Sequence, residues 1–178
     1  MAAQGLAKVA ISITTLDRHV ARAMEPRAAT PGRRIDAIRQ LTGAGIPVTV
    51  MVAPVIPGLT DHELETILEA ARDAGARDAG YVLLRMPLEI KDLFREWLNQ
   101  EFPDRAKRVI NLLQSMHGGE DYNSAFGHRQ RGSGPYADQI AMRFKLARNR
   151  LNLGIERLKL RIDLFKRPVL RGQQLPLF

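Results

Sequence analysis

Residues 47–54 read Pro47-Val-Thr-Val-Met-Val-Ala-Pro54, apolar almost without alternation and rich in β-branched side chains. A strand with one wet face alternates apolar and polar residues, whereas a strand covered on both faces does not, and covered strands belong to parallel sheets. Working outward, Lys8-Val-Ala-Ile-Ser-Ile-Thr14 and Ala79-Gly-Tyr-Val-Leu-Leu-Arg85 have the same strand character. The intervening segments carry helical spacing. Thr30 and Pro31 suit an N-cap and a first helical position; Ile35, Ile38 and Leu41 follow on one face, and Gly43 and Gly45 supply a stop. A second helix begins at Thr60, with Glu63 three residues on completing a capping box. Leu64, Ile67, Leu68 and Ala71 form its apolar stripe, and Gly75 is its expected C′ residue. A third helix covers 89–100, with Leu93, Phe94, Trp97 and Leu98 inward. The order βαβαβα predicts an α/β fold with a parallel sheet and right-handed crossovers.

Beyond this unit the pattern changes. Helices are expected over 104–116 and 138–151, separated by a Gly-rich stretch from Gly118 to Gly134. Residues 158–164 alternate as a strand does, with a helix also compatible. The 178 residues suffice for one domain. No apolar run approaches the roughly 18 residues that a membrane span requires. The N-terminus lacks the layout of a secretory signal, so a cytoplasmic location is expected. The chain contains no cysteine, which excludes disulfides, thiolate metal sites and a cysteine nucleophile from it. Its net charge of +8 is uneven: 12 basic and 3 acidic residues lie from Arg129 to Phe178, against 15 and 16 before them. A basic segment of this kind suits a polyanionic partner or a solvated surface, and weak nucleic-acid contact is the expectation.

The covered strand at 47–54 poses a physical requirement. Three parallel strands with helices on one side leave the other face of the sheet bare, and an open apolar edge invites aggregation. The unit therefore reads as the second half of a larger barrel or sheet, completed by an N-terminal half or a dimer mate. In parallel α/β proteins the ligand sits at the carboxyl ends of the strands. Those ends carry Ser12, Thr14, Thr15 and Asp17, then Ala53 to Gly58, then Arg85 and Glu89, with Glu25-Pro26-Arg27 in the first connection. Hydroxyls suit a ribose, a guanidinium suits a carboxylate, and an apolar ledge suits a flat ring. No Walker loop, G-x-G-x-x-G or H-E-x-x-H is present. The histidines, at 19, 62, 117 and 128, have no metal-ligand spacing. Gly127 to Gly134, with two arginines, reads as a flexible connection or a phosphate-binding loop.

Several of these stretches resemble one family when taken in order. Val9 to Asp17, Met24-Glu-Pro-Arg27, Ala44-Gly-Ile-Pro47, Met51 to Gly58, Tyr81 to Arg85 and Gly132-Ser-Gly-Pro-Tyr136 are similar to radical S-adenosylmethionine proteins of the spore photoproduct lyase-like group, also called DNA repair photolyase-like. The resemblance implies the second half, three βα units, of a partial (β/α)6 TIM-like barrel over residues 1–102. A mainly helical, basic region over 103–170 and a mobile tail over 171–178 follow it. It also implies a lyase-like radical enzyme acting in DNA repair, with S-adenosylmethionine and a [4Fe–4S] cluster as cofactors. Family members hold the cluster through a C-x-x-x-C-x-x-C loop after the first barrel strand, a loop absent from this sequence. By position, the resemblance places Ser12 and Thr14 at the ribose or methionine part of the cofactor. Ala53 and the backbone of Pro54 and Val55 come to the adenine, Arg27 to the methionine carboxylate and Arg85 to the substrate. The chain is then a cluster-free fragment, with the deoxyadenosyl radical generated only in the complete protein.

The alternative is a non-catalytic binding module. Gln174-Leu-Pro-Leu-Phe178 resembles the short motif by which bacterial repair and replication proteins bind the sliding clamp. Leu175, Leu177 and Phe178 are its apolar residues, and the last two are the ones to enter a pocket. Gln174 sets the register. Burial of two such side chains contributes about 1.5–3 kcal/mol each, less the cost of ordering the tail.

Overall fold

The structure is a computed structural model, and it describes residues 1–120, 130–155 and 159–165. Three strands, β1 (Val9–Ser12), β2 (Val48–Val55) and β3 (Asp78–Leu83), form a parallel sheet in the order β1-β2-β3. Six helices accompany them: α1 (Arg18–Met24), α2 (Pro31–Gly43), α3 (Leu64–Asp73), α4 (Ile90–Glu101), α5 (Pro103–Ser115) and α6 (Pro135–Arg150).

The register explains which face is covered. Ile11 lies opposite Val50, which lies opposite Ala79, and Val52 lies opposite Tyr81. These rows, with Val48 and Ile13, enter a core with Ile38 of α2, Ile67 and Leu68 of α3, and Ile140 of α6. The other face carries Ser12 opposite Met51 and Met51 opposite Gly80. There Ala10 and Ser12 are exposed, and Met51, Ala53, Gly80 and Val82 are half-buried. Among the described residues, the apolar run of β2 thus meets helices on one side only, and no helix packs on its other face.

Helix ends follow the sequence with three changes, at α1, α3 and α6. Pro31 opens α2 as expected. Gly75, the expected C′ residue of α3, has φ +102°, and a Cβ there would lie 2.6 Å from the Thr42 hydroxyl, so only glycine fits. The expected capping box at Thr60 does not form. The Thr60 hydroxyl accepts the Ile56 N–H at 3.0 Å, and residues 61–63 make a 3-10 turn before α3 starts. Glu63 is drawn elsewhere because its carboxylate finds two donors across the fold, at Thr15 and Leu16. Helix α1, which the periodicity does not predict, starts at an Asp17 cap whose carboxylate accepts the N–H groups of His19 at 2.7 Å and Val20 at 3.3 Å.

The C-terminal helices join the same core. Ala106, Val109 and Leu113 of α5 and Ala137, Ile140 and Ala147 of α6 belong to it. Helix α6 begins at Pro135, not at 138, because Tyr136 is fastened to Asp61 at 2.6 Å. Arg143 then pairs with both oxygens of Glu65, at 2.8 and 2.6 Å. The Arg143 guanidinium holds the Glu65 carboxyl below the usual carboxylate range. Burial and the Asp61 carboxylate push the Tyr136 phenol up to about 12. The strand periodicity at 158–164 yields no strand at 159–165. That segment is tied to the body by the Arg161 N–H donating to the Gly5 carbonyl at 2.9 Å. The tail residues Gln174, Leu175, Leu177 and Phe178 lie outside the described residues, as do Gly127, His128 and Arg129 of the Gly-rich loop.

Candidate active site at the carboxyl ends of the strands

β1 ends at Ser12, which is exposed on the open face. The N–H groups of Val9 and Ile13 donate toward β2, to Pro47 and Met51. Alternation therefore turns the Ser12 carbonyl to the free edge, where Arg34 donates to it at 3.0 Å. Thr14, one pleat further, is 3% exposed, and its hydroxyl donates to the Ala53 carbonyl at 3.1 Å. This bond stitches the ends of β1 and β2 together and leaves the Thr14 oxygen free to accept. Thr15 and the backbone of Leu16 are both held by Glu63.

On β2, Ala53 and Pro54 are half-buried beside Thr14, and the register with β3 shifts between Val52 and Val55. Val55 is 1% exposed in the core, and its carbonyl accepts the Leu84 N–H at 2.9 Å. Its side chain is thus packing, and its carbonyl is engaged within the fold. Arg85 follows β3, half-buried. Arg27 sits exposed in the turn after α1 and forms no ion pair among the described residues. Glu25 is instead held by Arg34 at 2.8 Å, and Arg34 also donates to the Ala29 carbonyl at 3.0 Å. Ser12, Thr14, Ala53 and Pro54 therefore come together at the rim of the open face, while Arg27 and Arg85 extend from separate connections.

A cavity of about 590 Å³ lies beside this rim, between Thr14 and Thr15, helix α1, residues 25, 26 and 28–30, and the first turn of α2. Sequence reading missed it because α1 was missed; Asp17, a good N-cap residue followed by a helix-compatible run, was the available signal. Helix α1 is fixed from outside: Trp97 Nε1 donates to the Ala23 carbonyl at 3.1 Å, and His19 meets Phe102 edge-on at 6.0 Å.

The basic C-terminal segment has work inside the molecule. Arg143 pairs with Glu65, Arg148 with Asp78 and Arg150 with Glu69. Much of its charge on α6 is therefore neutralised by the body. Gly132 to Tyr136, one of the resemblance segments, likewise has a fold role. It places Ser133 N–H on the Met116 carbonyl at 2.9 Å and Tyr136 on Asp61.

Residues 1–71 match the Radical SAM superfamily. The matched stretch holds β1, α1, α2, β2 and most of α3, and so both strands whose ends build the rim. The chain is also 32% identical over 108 residues to uncharacterized proteins of Mycobacterium tuberculosis and Mycobacterium bovis, covering 60% of this chain and 32% of each relative. An uncharacterized protein of Acidianus two-tailed virus is 36% identical over 70 residues, 36% of this chain and 23% of that protein. The chain thus spans about a third of the length of the mycobacterial relatives it matches. No solved structure matches.

Radical SAM proteins in general use S-adenosylmethionine and a [4Fe–4S] cluster. The cluster does not fit the donors of this chain: thiolates are required, and the sequence has no cysteine. No group of three or more His, Asp or Glu is placed to hold a metal among the described residues. The rim itself offers an exposed hydroxyl at Ser12 and the small side chain of Ala53, the chemistry a nucleoside requires. No helix among the described residues is long and apolar enough to cross a membrane.

Proposed function

We propose that this chain forms the C-terminal half of a radical S-adenosylmethionine barrel and holds the cofactor across the ends of β1 and β2. The observation that carries this reading is the coincidence of the family match with a sheet face left uncovered by the described residues. The bound cofactor supplies a deoxyadenosyl group for hydrogen abstraction. The chain's own residues orient it. The Ser12 hydroxyl is placed to meet the ribose or methionine portion, and Thr14 adds an acceptor from the next inward position. Ala53 leaves room for the adenine, with the backbone of Pro54 beside it; Val55 contributes only by shaping that bend. Arg27 is assigned to the methionine carboxylate and Arg85 to substrate. The cluster ligands come from an N-terminal half-barrel.

The finer assignment, a photoproduct lyase-like enzyme acting on a nucleic-acid lesion, rests on the order of the resembling segments alone. The test is equilibrium binding of S-adenosylmethionine, together with iron incorporation when an N-terminal half-barrel bearing C-x-x-x-C-x-x-C is supplied in trans. Ser12→Trp and Ala53→Trp are expected to abolish cofactor binding, and iron is expected to enter only with the added half. Cofactor binding that survives both substitutions overturns the reading.

A second reading rests on Gln174 to Phe178: the tail docks on a sliding clamp and makes the chain a tethered partner. Fluorescence anisotropy with a bacterial clamp tests it. Leu177→Ala with Phe178→Ala is expected to lower affinity at least about tenfold, given two buried apolar side chains. Unchanged affinity removes this reading.

A further inference from the structure

We propose that the cavity between α1 and the first turn of α2 binds a small phosphate-bearing ligand of mononucleotide size. The cavity shares Thr14 with the cofactor rim, but its arginines, Arg18 and Arg22, are not among the residues assigned to the cofactor, so the proposal does not rest on that reading. A volume of about 590 Å³ is in the range of small-molecule sites.

Its charge selects the ligand. Arg18 and Arg22 line the cavity from α1, and neither forms an ion pair among the described residues. The acid that lines it, Glu25, is neutralised by Arg34 at 2.8 Å. The cavity is therefore net positive. Arg18 and Arg22 stand four residues apart on one helix face, where like charges weaken a helix. Helix α1 has seven residues and no acid in its first turn, and the carboxylate of its Asp17 cap is taken up by the His19 and Val20 N–H groups. An anion placed between the two guanidinium groups relieves their repulsion, and paired guanidinium forks match phosphate oxygens.

Two further features favour a phosphate ester. Thr30 lines the cavity, and its hydroxyl makes no capping bond to α2, so it remains a donor and acceptor for a sugar or phosphate. Helix α1 is held by the Asp17 cap and by Trp97, so the arginines are carried on a fixed element. S-adenosylmethionine is a poor occupant: its ammonium and sulfonium outweigh its carboxylate, and a net cation is repelled here. A nucleic-acid backbone is disfavoured too, because it follows a continuous basic groove, whereas Arg143, Arg148 and Arg150 are taken up in ion pairs.

The test is equilibrium dialysis of the full chain against inorganic pyrophosphate, adenosine monophosphate, adenosine and a single-stranded oligonucleotide. Pyrophosphate and the monophosphate are expected to bind, with adenosine weaker by about tenfold or more, the loss of a charge-assisted pair. Arg18→Ala with Arg22→Ala, both exposed and so compatible with folding, is expected to weaken the monophosphate by at least about tenfold. Ala29→Trp, which fills the cavity without altering charge, is expected to abolish binding, and Arg39→Ala, which removes a charge already paired with Asp36, to leave it intact. Equal binding of adenosine and its monophosphate overturns the proposal, as does binding that survives both cavity variants. So does an oligonucleotide that binds where pyrophosphate does not. Because Ala29→Trp and the wild-type ligand series decide independently, an unfolded double variant does not rescue the idea.

Discussion

Asp61 is the residue on which three parts of the chain converge. It is 6% exposed, and its carboxylate accepts the Gly58 N–H at 2.7 Å and the Tyr136 hydroxyl at 2.6 Å, with Arg143 at 3.9 Å. Tyr136→Phe leaves a buried carboxylate short of a donor, so a loss of about 1–3 kcal/mol is expected in denaturant titrations. A loss under about 0.5 kcal/mol would show that Arg143 compensates. The same phenol sets an alkaline signature. Its folded pKa, about 12, lies above the usual 10, so its contribution is complete below about pH 10 and disappears as pH rises toward 12. The wild type should lose stability across that window with a steeper slope than Tyr136→Phe. Gly58 belongs to the resemblance, yet the fold also requires it: φ is +75°, and a Cβ would stand 3.1 Å from Leu112. Gly58→Ala should cost about 1–2 kcal/mol on backbone grounds; a thermal melt at the wild-type temperature would refute this.

At the scale of elements, α1 and the α3–α6 junction carry the testable content. Asp17→Ala removes the acceptor of two N–H groups, and a loss of about 1 kcal/mol is expected. If α1 also forms the wall of an anion site, the same variant should weaken pyrophosphate binding. The junction titrates on the acid side. Arg143 holds the Glu65 pKa below its unfolded value, so this pair contributes above about pH 4.3 and is lost as pH falls below it. Arg143→Ala should therefore flatten the acid limb of the stability profile, and an unchanged limb would place the acid sensitivity elsewhere. Sequence periodicity was sufficient for α2, α3 and α5, and for the existence of α4; in α4 only Leu98 is fully buried, Phe94 and Trp97 are half-buried, and Leu93, expected inward, is exposed. It was insufficient for α1, whose seven residues bury one apolar side chain, Val20, and whose stability comes from a cap and from Trp97.

For the whole molecule, the open sheet face and the free edge of β1 dominate. On the half-barrel proposal, the chain alone should elute as an oligomer or aggregate in size-exclusion chromatography. A monomer with a sharp cooperative melt would count against the half-barrel reading. Addition of the N-terminal half should shift elution toward a single 1:1 species if the two faces are complementary. Arg34 partly shields the edge by binding the Ser12 carbonyl, a contact between residues 22 positions apart that no local pattern announces.

The sequence by itself determined the parallel βαβαβα order, the half-covered sheet, the absence of thiolate ligands and the gathering of Ser12, Thr14 and Ala53 at one end of the strands. These follow from periodicity, composition and strand polarity, which are local properties. Tertiary structure decided what depends on long-range partners. It turned Glu63 from a capping residue into a brace for Thr15 and Leu16, and gave Glu25 to Arg34 while Arg27 stayed exposed. It also joined the basic arginines of α6 to Glu65, Asp78 and Glu69, and opened a cavity between α1 and α2. A charged side chain takes the partner that the folded chain brings within reach, and that choice is not written in its neighbours along the sequence.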